Sequence, residues 1–276
     1  MGKLNGLDLF SGIGGITLAL QEWVVPTAYC EIDPYCRGVL LSRMSEGKLP
    51  VAPIWDDVST LKGTDIPVKP EIIYGGFPCQ DISTAGCKSG LAGERSGLFY
   101  EIARLVDEIR PEFVFLENVA AIVSRGIDAV LGEFSKLRYN CRWGIVSARS
   151  LGAPHKRERW FLLAHSNSER CYDWSDNRET RQVFANEEKN PEEIHEGGFE
   201  YVCELGQMGE ILPGMGRALM ARRKGTVSEN NQWGTEPRIC RVVDGLPDRV
   251  DRVKALGNAV VPWQARVAFE RLLFNL

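Results

Sequence analysis

Residues 4–15 read Leu4-Asn5-Gly6-Leu7-Asp8-Leu9-Phe10-Ser11-Gly12-Ile13-Gly14-Gly15. The run Leu4–Phe10 has the apolar character of a strand. A glycine-rich turn follows, and Gly14–Glu22 reads as a helix. Glycines let the backbone come close to a ligand and leave amides free to hydrogen-bond it. The spacing is G-x-G-G, which differs from the G-x-G-x-x-G dinucleotide fingerprint. The same alternation continues downstream. Ala28–Ile32 reads as a strand, and Pro34–Ser45 as a helix opened by proline. Glu71–Tyr74 is a short strand before a Gly-Gly-Phe-Pro loop. From Leu98 to Ile109 apolar residues stand at 98, 99, 102, 105, 106 and 109, which is helical spacing, and Pro111 stops the run. Phe113–Leu116 is an apolar strand, Ile127–Leu137 a helix and Trp160–Ala164 another strand. This order predicts an α/β fold, a mostly parallel, Rossmann-like sheet with both faces covered.

Composition narrows the class. The chain has 276 residues, 44% of them hydrophobic and 25% charged, as in globular proteins. No run approaches the ~20 apolar residues of a membrane span. The chain runs from Met1 straight into a strand-like segment, so no signal peptide and no membrane are expected, and the expected place is the cytoplasm. None of the eight cysteines forms a C-x-x-C pair, so no metal is called for and reduced thiols are expected. The net charge of −4 does not announce a nucleic-acid binder. The pattern changes near residue 166. Residues 166–200 carry four basic and ten acidic side chains, whereas 217–254 carry nine basic and five acidic. The ending from Trp263 to Leu276 is again helix-like.

Four polar groups follow four different strands. Gly12 sits in the glycine turn. Glu31 ends the second strand, where an acid can hold ribose hydroxyls. Cys79 lies in Gly-Gly-Phe-Pro-Cys-Gln, and a cysteine nucleophile needs a site that favours thiolate. Glu117 follows four apolar residues, whose walls raise a carboxyl pKa and let it donate a proton. In a parallel sheet these ends converge on one rim. Farther on, period two along a strand would put His155, Arg157 and Arg159 on one face. Leu256–Pro262 reads as a plain loop.

Taken together the chain resembles the DNA (cytosine-5) methyltransferases. The motifs that carry the resemblance are DLFSGIGG at 8–15, EIDPYC at 31–36, DDV at 56–58, GGFPCQDIS at 75–83, SGLFYEI at 96–102, ENV at 117–119, HKRER at 155–159 and GNAVVP at 257–262. The resemblance implies an S-adenosyl-L-methionine-dependent domain in which Phe10, Gly12, Ile13, Gly15, Glu31, Asp57, Pro78, Leu98 and Asn258 line the cofactor site. Glu31 would hold the ribose and Asp57 the adenine amino group. Cys79 would be the nucleophile, Glu117 would contact nitrogen 3 of the target cytosine, and Arg159, with Arg157 near it, would serve the base and its phosphate. His155 stands where the family usually has glutamine.

The layout implied is a catalytic domain over 1–165, a target-recognition region over 166–235 and a return segment over 236–276 that completes the catalytic domain. The partner implied is duplex DNA, with the cytosine flipped out of the stack. The protein is expected to be a monomer, either solitary or paired with a restriction endonuclease that acts separately. Arg222, Arg223 and Lys224 are candidates for phosphate contacts. A tRNA cytosine-5 methyltransferase and a catalytically silent DNA-binding homologue are the alternative readings.

Overall fold

A computed structural model of the chain describes residues 2–78, 97–153, 155–166, 203–205 and 249–274. The strands in chain order are β1 (Leu4–Leu9), β2 (Val24–Cys30), β3 (Ile54–Trp55), β4 (Ile72–Gly76), β5 (Phe113–Val119), β6 (Tyr139–Ser147), β7 (Glu158–Ser166) and β8 (Cys203–Leu205). The helices are α1 (Gly15–Leu20), α2 (Pro34–Ser45), α3 (Leu98–Ile109), α4 (Ile122–Arg125), α5 (Ile127–Lys136), α6 (Arg249–Asn258) and α7 (Pro262–Phe274). The strands form one sheet in the order β3-β2-β1-β4-β5-β7-β6-β8.

The half from β3 to β5 is parallel, as the strand–helix alternation predicts. Its strands are apolar on both faces because helices cover both. One face packs Leu7, Leu9, Ile73, Val114 and Leu116 against α3 and α5. The other packs Ile72, Tyr74, Phe113 and Phe115 against α1 and α7. Helix α7 belongs to this second layer: Ala265, Ala268, Phe269 and Leu272 are buried there, and the Phe269 ring lies 5.2 Å from Phe115. Burying a Leu or Phe side chain contributes about 1.5–3 kcal/mol. Helix α7 is therefore built into the core.

The other half departs from the expected pattern. Strand β7 runs antiparallel to both β5 and β6. The link between β6 and β7 is short, and its described residues carry a 3-10 turn at Arg149–Leu151, too little for a parallel crossover. No strand is expected at 139–147, although Tyr139, Cys141, Trp143 and Ile145 alternate with Asn140, Arg142 and Gly144, the period-two pattern of a strand with one buried face. Strand β8 pairs with β6, so the sheet takes an edge strand from within the stretch 166–235. Helix α6 covers the first part of what reads as loop before Pro262. Among the described residues, no helix is long and apolar enough to cross a membrane.

Candidate active site

The site begins where β1 ends. Phe10 and Gly12 take positive φ angles of 53° and 54°, and Gly14 one of 81°. The last two are what glycine permits and other residues resist. This turn is tied to the end of β2. Ser11 donates its hydroxyl to Asp8 O at 2.9 Å, and its backbone N–H bonds Cys30 O at 3.1 Å. The Gly12 N–H donates to Glu31 Oε2 at 2.7 Å, and the Asp33 N–H donates to Glu31 Oε1 at 2.8 Å. Glu31 is thus held rigid, and each oxygen keeps lone-pair capacity for a ligand hydroxyl. Asp33 in turn caps α2 and pairs with Lys254 of α6 at 2.7 Å.

Asp57 lies beyond β3. Its Oδ1 accepts from the Ser59 hydroxyl at 2.7 Å and the Ser59 N–H at 2.9 Å, which holds its carboxyl below the usual carboxylate range. The loop is braced from α3, where Arg104 donates to Val58 O at 3.0 Å and Leu61 O at 2.9 Å. All nine residues expected at the cofactor site, Phe10, Gly12, Ile13, Gly15, Glu31, Asp57, Pro78, Leu98 and Asn258, line a single cavity of about 810 Å³. Glu117 and Arg159 line the same cavity.

Glu117 does not follow its strand as expected. It lies inside β5, opposite Phe161 of β7, while Val119 lies opposite Arg159. Residues two apart on a strand share a face, so Glu117 and Arg159 are diagonal neighbours across the pair. They form an ion pair of 2.9 Å. Glu117 is only 9% exposed. Burial pushes its carboxyl up to about 7, with the Arg159 and Arg157 guanidinium groups pulling the other way. On the β4 side Gly76 is paired with Glu117, and a Cβ there would lie 2.7 Å from Glu117 Oε2. The missing side chain makes the room the carboxylate occupies.

Asn118, to which sequence reading gives no role, is buried and donates its Nδ2 to Phe77 O at 3.0 Å. It fixes the strand exit that leads through Pro78 toward Cys79. Only the register of β4 on β5 reveals this. Cys79 itself lies outside the described residues, as do Arg222, Arg223 and Lys224. Cys30, Cys36 and Cys141 are buried and free, with burial raising each thiol above its ordinary value. They are structural cysteines.

Arg157 is placed differently from the expectation that it shares a face with Arg159. The chain at Arg157 is not extended: φ is +26°, and β7 begins one residue later. Its guanidinium turns to the carbonyls of Gly257 and Ala259 and does not line the cavity. The period-two argument fails because it assumed strand geometry before the strand begins.

Beneath the glycine turn Asp8 is 1% exposed and lines the floor of the cavity. Thr17 donates to its Oδ2 at 2.6 Å, and Thr17 Oγ1 lies 2.9 Å from the Tyr74 hydroxyl. Desolvation pushes the Asp8 carboxyl from 3.8 up to about 8. The folded state therefore holds this proton while the unfolded chain releases it near 3.8. The stability that goes with it is complete below about pH 4 and is lost as pH rises toward 8. Asp8→Asn is expected to lose less thermal stability than the parent between pH 5 and pH 8. Parallel melting curves that decline equally over that range would contradict the assignment.

The parallel strands with a glycine turn at one end and covering helices on both faces form the Rossmann-like sheet of the methyltransferases. The chain belongs to the family of C-5 cytosine-specific DNA methylases, whose model matches residues 4–209. It is 31% identical over 208 residues to the type II methyltransferase M.CviJI of Paramecium bursaria Chlorella virus IL3A, covering 71% of this chain and 55% of that one. It is 33% identical over 169 residues to M.HhaI of Haemophilus parahaemolyticus, covering 59% of this chain and 50% of the relative. Among solved structures, the S. pombe Dnmt2 methyltransferase superposes with a TM-score of 0.51 at 25% identity, over 63% of this chain and 54% of that one. A DNMT2 variant from Spodoptera frugiperda gives 0.51 at 18% identity, over 61% and 51%, a likeness of fold. The chain spans about half the length of the curated relatives it matches.

Proposed function

We propose that this protein methylates carbon 5 of a cytosine flipped out of duplex DNA, with S-adenosylmethionine as methyl donor. The observation that carries the reading is the single cavity. Gly12, Glu31, Asp57 and Asn258 line it together with the buried Glu117 and its ion-pair partner Arg159. The donor set suits the cofactor: a fixed carboxylate for ribose hydroxyls, a second for an amino group, and the apolar side chains of Phe10, Ile13 and Leu98 for flat or aliphatic parts. When bound, S-adenosylmethionine supplies an electrophilic methyl group on a sulfonium sulfur.

The chain's own residues do the rest. The Cys79 thiolate adds to carbon 6 of cytosine, forming a C–S bond and moving the ring electrons toward carbon 5. Glu117 in its acid form donates at nitrogen 3, where negative charge would otherwise build. Arg159 holds Glu117 in place. After carbon 5 is methylated, its proton leaves to a base, the C–S electron pair returns to sulfur as Cys79 departs, and nitrogen 3 gives its proton back to Glu117. The layout proposed is catalytic domain 1–165, target recognition in 166–235 and return segment 236–276. The enzyme acts either beside a restriction endonuclease or alone. The relatives named type II methyltransferases favour the restriction setting.

Calorimetry with S-adenosylmethionine tests the cofactor half. Glu31→Ala and Asp57→Ala are each expected to cost about 1.5–3 kcal/mol of binding, the worth of a hydrogen bond to a charged group. Unchanged affinity in both variants would falsify the placement. Methyl-transfer assays on duplex DNA and on tRNA test the substrate half: transfer to tRNA alone replaces DNA with RNA in this reading, and transfer to neither leaves a silent binding protein.

A further inference from the structure

We infer that Arg157 is a positioning residue that holds Asn258 in the cofactor half of the cavity and ties it to the strand carrying Arg159. The inference rests on the cofactor reading above. The Arg157 guanidinium donates from Nη1 and Nη2 to Gly257 O, both at 3.2 Å, and from Nη2 to Ala259 O. These two carbonyls flank Asn258, the last residue of α6, and Asn258 lines the cavity. Carbonyls at a helix C-terminus lack partners within the helix, and a cation is favoured there. The backbone of Arg157 is gripped as well. Gln264, fully buried in α7, donates its Nε2 to Arg157 O at 2.8 Å and to Val146 O at 2.6 Å. Arg157 is therefore held at both ends by the return segment.

The clasped loop sits tightly on the glycine turn. A Cβ added to Gly15 would fall 2.8 Å from Val260 Cγ1 and 3.2 Å from Val260 O. Two residues after Arg157, Arg159 pairs with Glu117 at the base end of the cavity. Arg157 thus joins two parts of the sequence a hundred residues apart, one on each half of the cavity. The positive φ at Arg157 is what turns its side chain to the return segment while Arg159 turns to Glu117. A base or phosphate contact would need the guanidinium that the loop carbonyls already hold.

The test compares the full chain with Arg157→Ala, Arg157→Lys, Asn258→Ala and the double variant Arg157→Ala/Asn258→Ala. Calorimetry without nucleic acid reads S-adenosylmethionine affinity, and a mixed-sequence duplex without cofactor reads DNA affinity. Arg157→Ala is expected to weaken S-adenosylmethionine binding at least about tenfold and to leave duplex affinity unchanged. Arg157→Lys falls between, since one ammonium cannot reproduce the guanidinium fork. In the double variant the loss is smaller than the product of the single losses, because Arg157 acts through Asn258. Hydrogen exchange on ligand-free protein gives a second reading. The Ala259 N–H bonds Ala255 O at 3.0 Å, and Arg157→Ala should speed its exchange. If Arg157→Ala does not fold, Arg157→Lys carries each comparison. Unchanged cofactor affinity with weakened duplex binding overturns the inference and makes Arg157 a nucleic-acid contact. Multiplying losses in the double variant, or unchanged exchange at Ala259, overturn it too. A parent protein that binds no S-adenosylmethionine but shows the expected exchange change overturns the cofactor reading and leaves the clasp standing.

Discussion

Cys79→Ser is expected to abolish methyl transfer while S-adenosylmethionine still binds. Carbon 5 of cytosine is too poor a nucleophile until something adds at carbon 6. A serine hydroxyl is almost wholly protonated near neutral pH, whereas a thiol in a favourable site supplies thiolate. Glu31 and Asp57, which would hold the cofactor's polar groups, follow other strands, and Glu31 is tied by the Gly12 N–H, so they survive the change. The loss should be total in a tritium-transfer assay, with calorimetric affinity for S-adenosylmethionine unaltered. Near-normal turnover by the serine variant would remove covalent catalysis from the proposal. Transfer lost together with cofactor binding would place the cysteine in the cofactor site instead.

Glu117→Gln is the second large effect. Burial holds the carboxyl in its acid form up to about pH 7, so a proton donor is present at neutral pH. As pH rises through 7 that donor is lost, and as pH falls the Cys79 thiolate is lost. A bell-shaped profile follows, with Glu117 on the alkaline limb. Glutamine keeps a hydrogen-bond donor but cannot transfer a proton. The rate should fall by about 10²–10⁴-fold, the usual worth of general acid catalysis. The residual activity should keep only the acid limb. An alkaline limb that survives unchanged in Glu117→Gln would assign it to another group.

The two effects depend on a shared scaffold. Gly76 leaves the space that Glu117 Oε2 fills, and Asn118 pins Phe77 O just before the cysteine loop. Adjacent residues of β5 therefore serve two strand ends: one carries the acid, and the next orients the exit of β4.

Much of this was readable from residue order. The apolar runs of β1, β4 and β5 and the 3.6-residue period of α3 are local patterns, and burial on both faces demands them wherever they occur. Polar residues placed directly after such runs must meet at one end of a parallel sheet. That is why Gly12 and Glu31 come together in one cavity, whereas Asp57 follows the two-residue strand β3 and, like Pro78, is pointed to only by the family resemblance. What remained hidden is non-local. Strand β6 carries a local alternation of Tyr139, Cys141, Trp143 and Ile145, but its place between β7 and β8 is set only by antiparallel pairing. The antiparallel course of β7 follows from a short connection, which hydrophobic pattern does not encode. The roles of Gly76 and Asn118 exist only through the register of β4 on β5. Arg157 and Arg159 are alike in type and two residues apart, yet one clasps the carbonyls of Gly257 and Ala259 and the other pairs with Glu117. A single backbone angle, held by Gln264 from the far end of the chain, separates them. The sequence by itself determined the family and the strand ends at which Gly12 and Glu31 lie. Tertiary structure alone decided which partner each side chain meets, because hydrogen bonds and packing across the sheet act between residues that the linear order keeps apart.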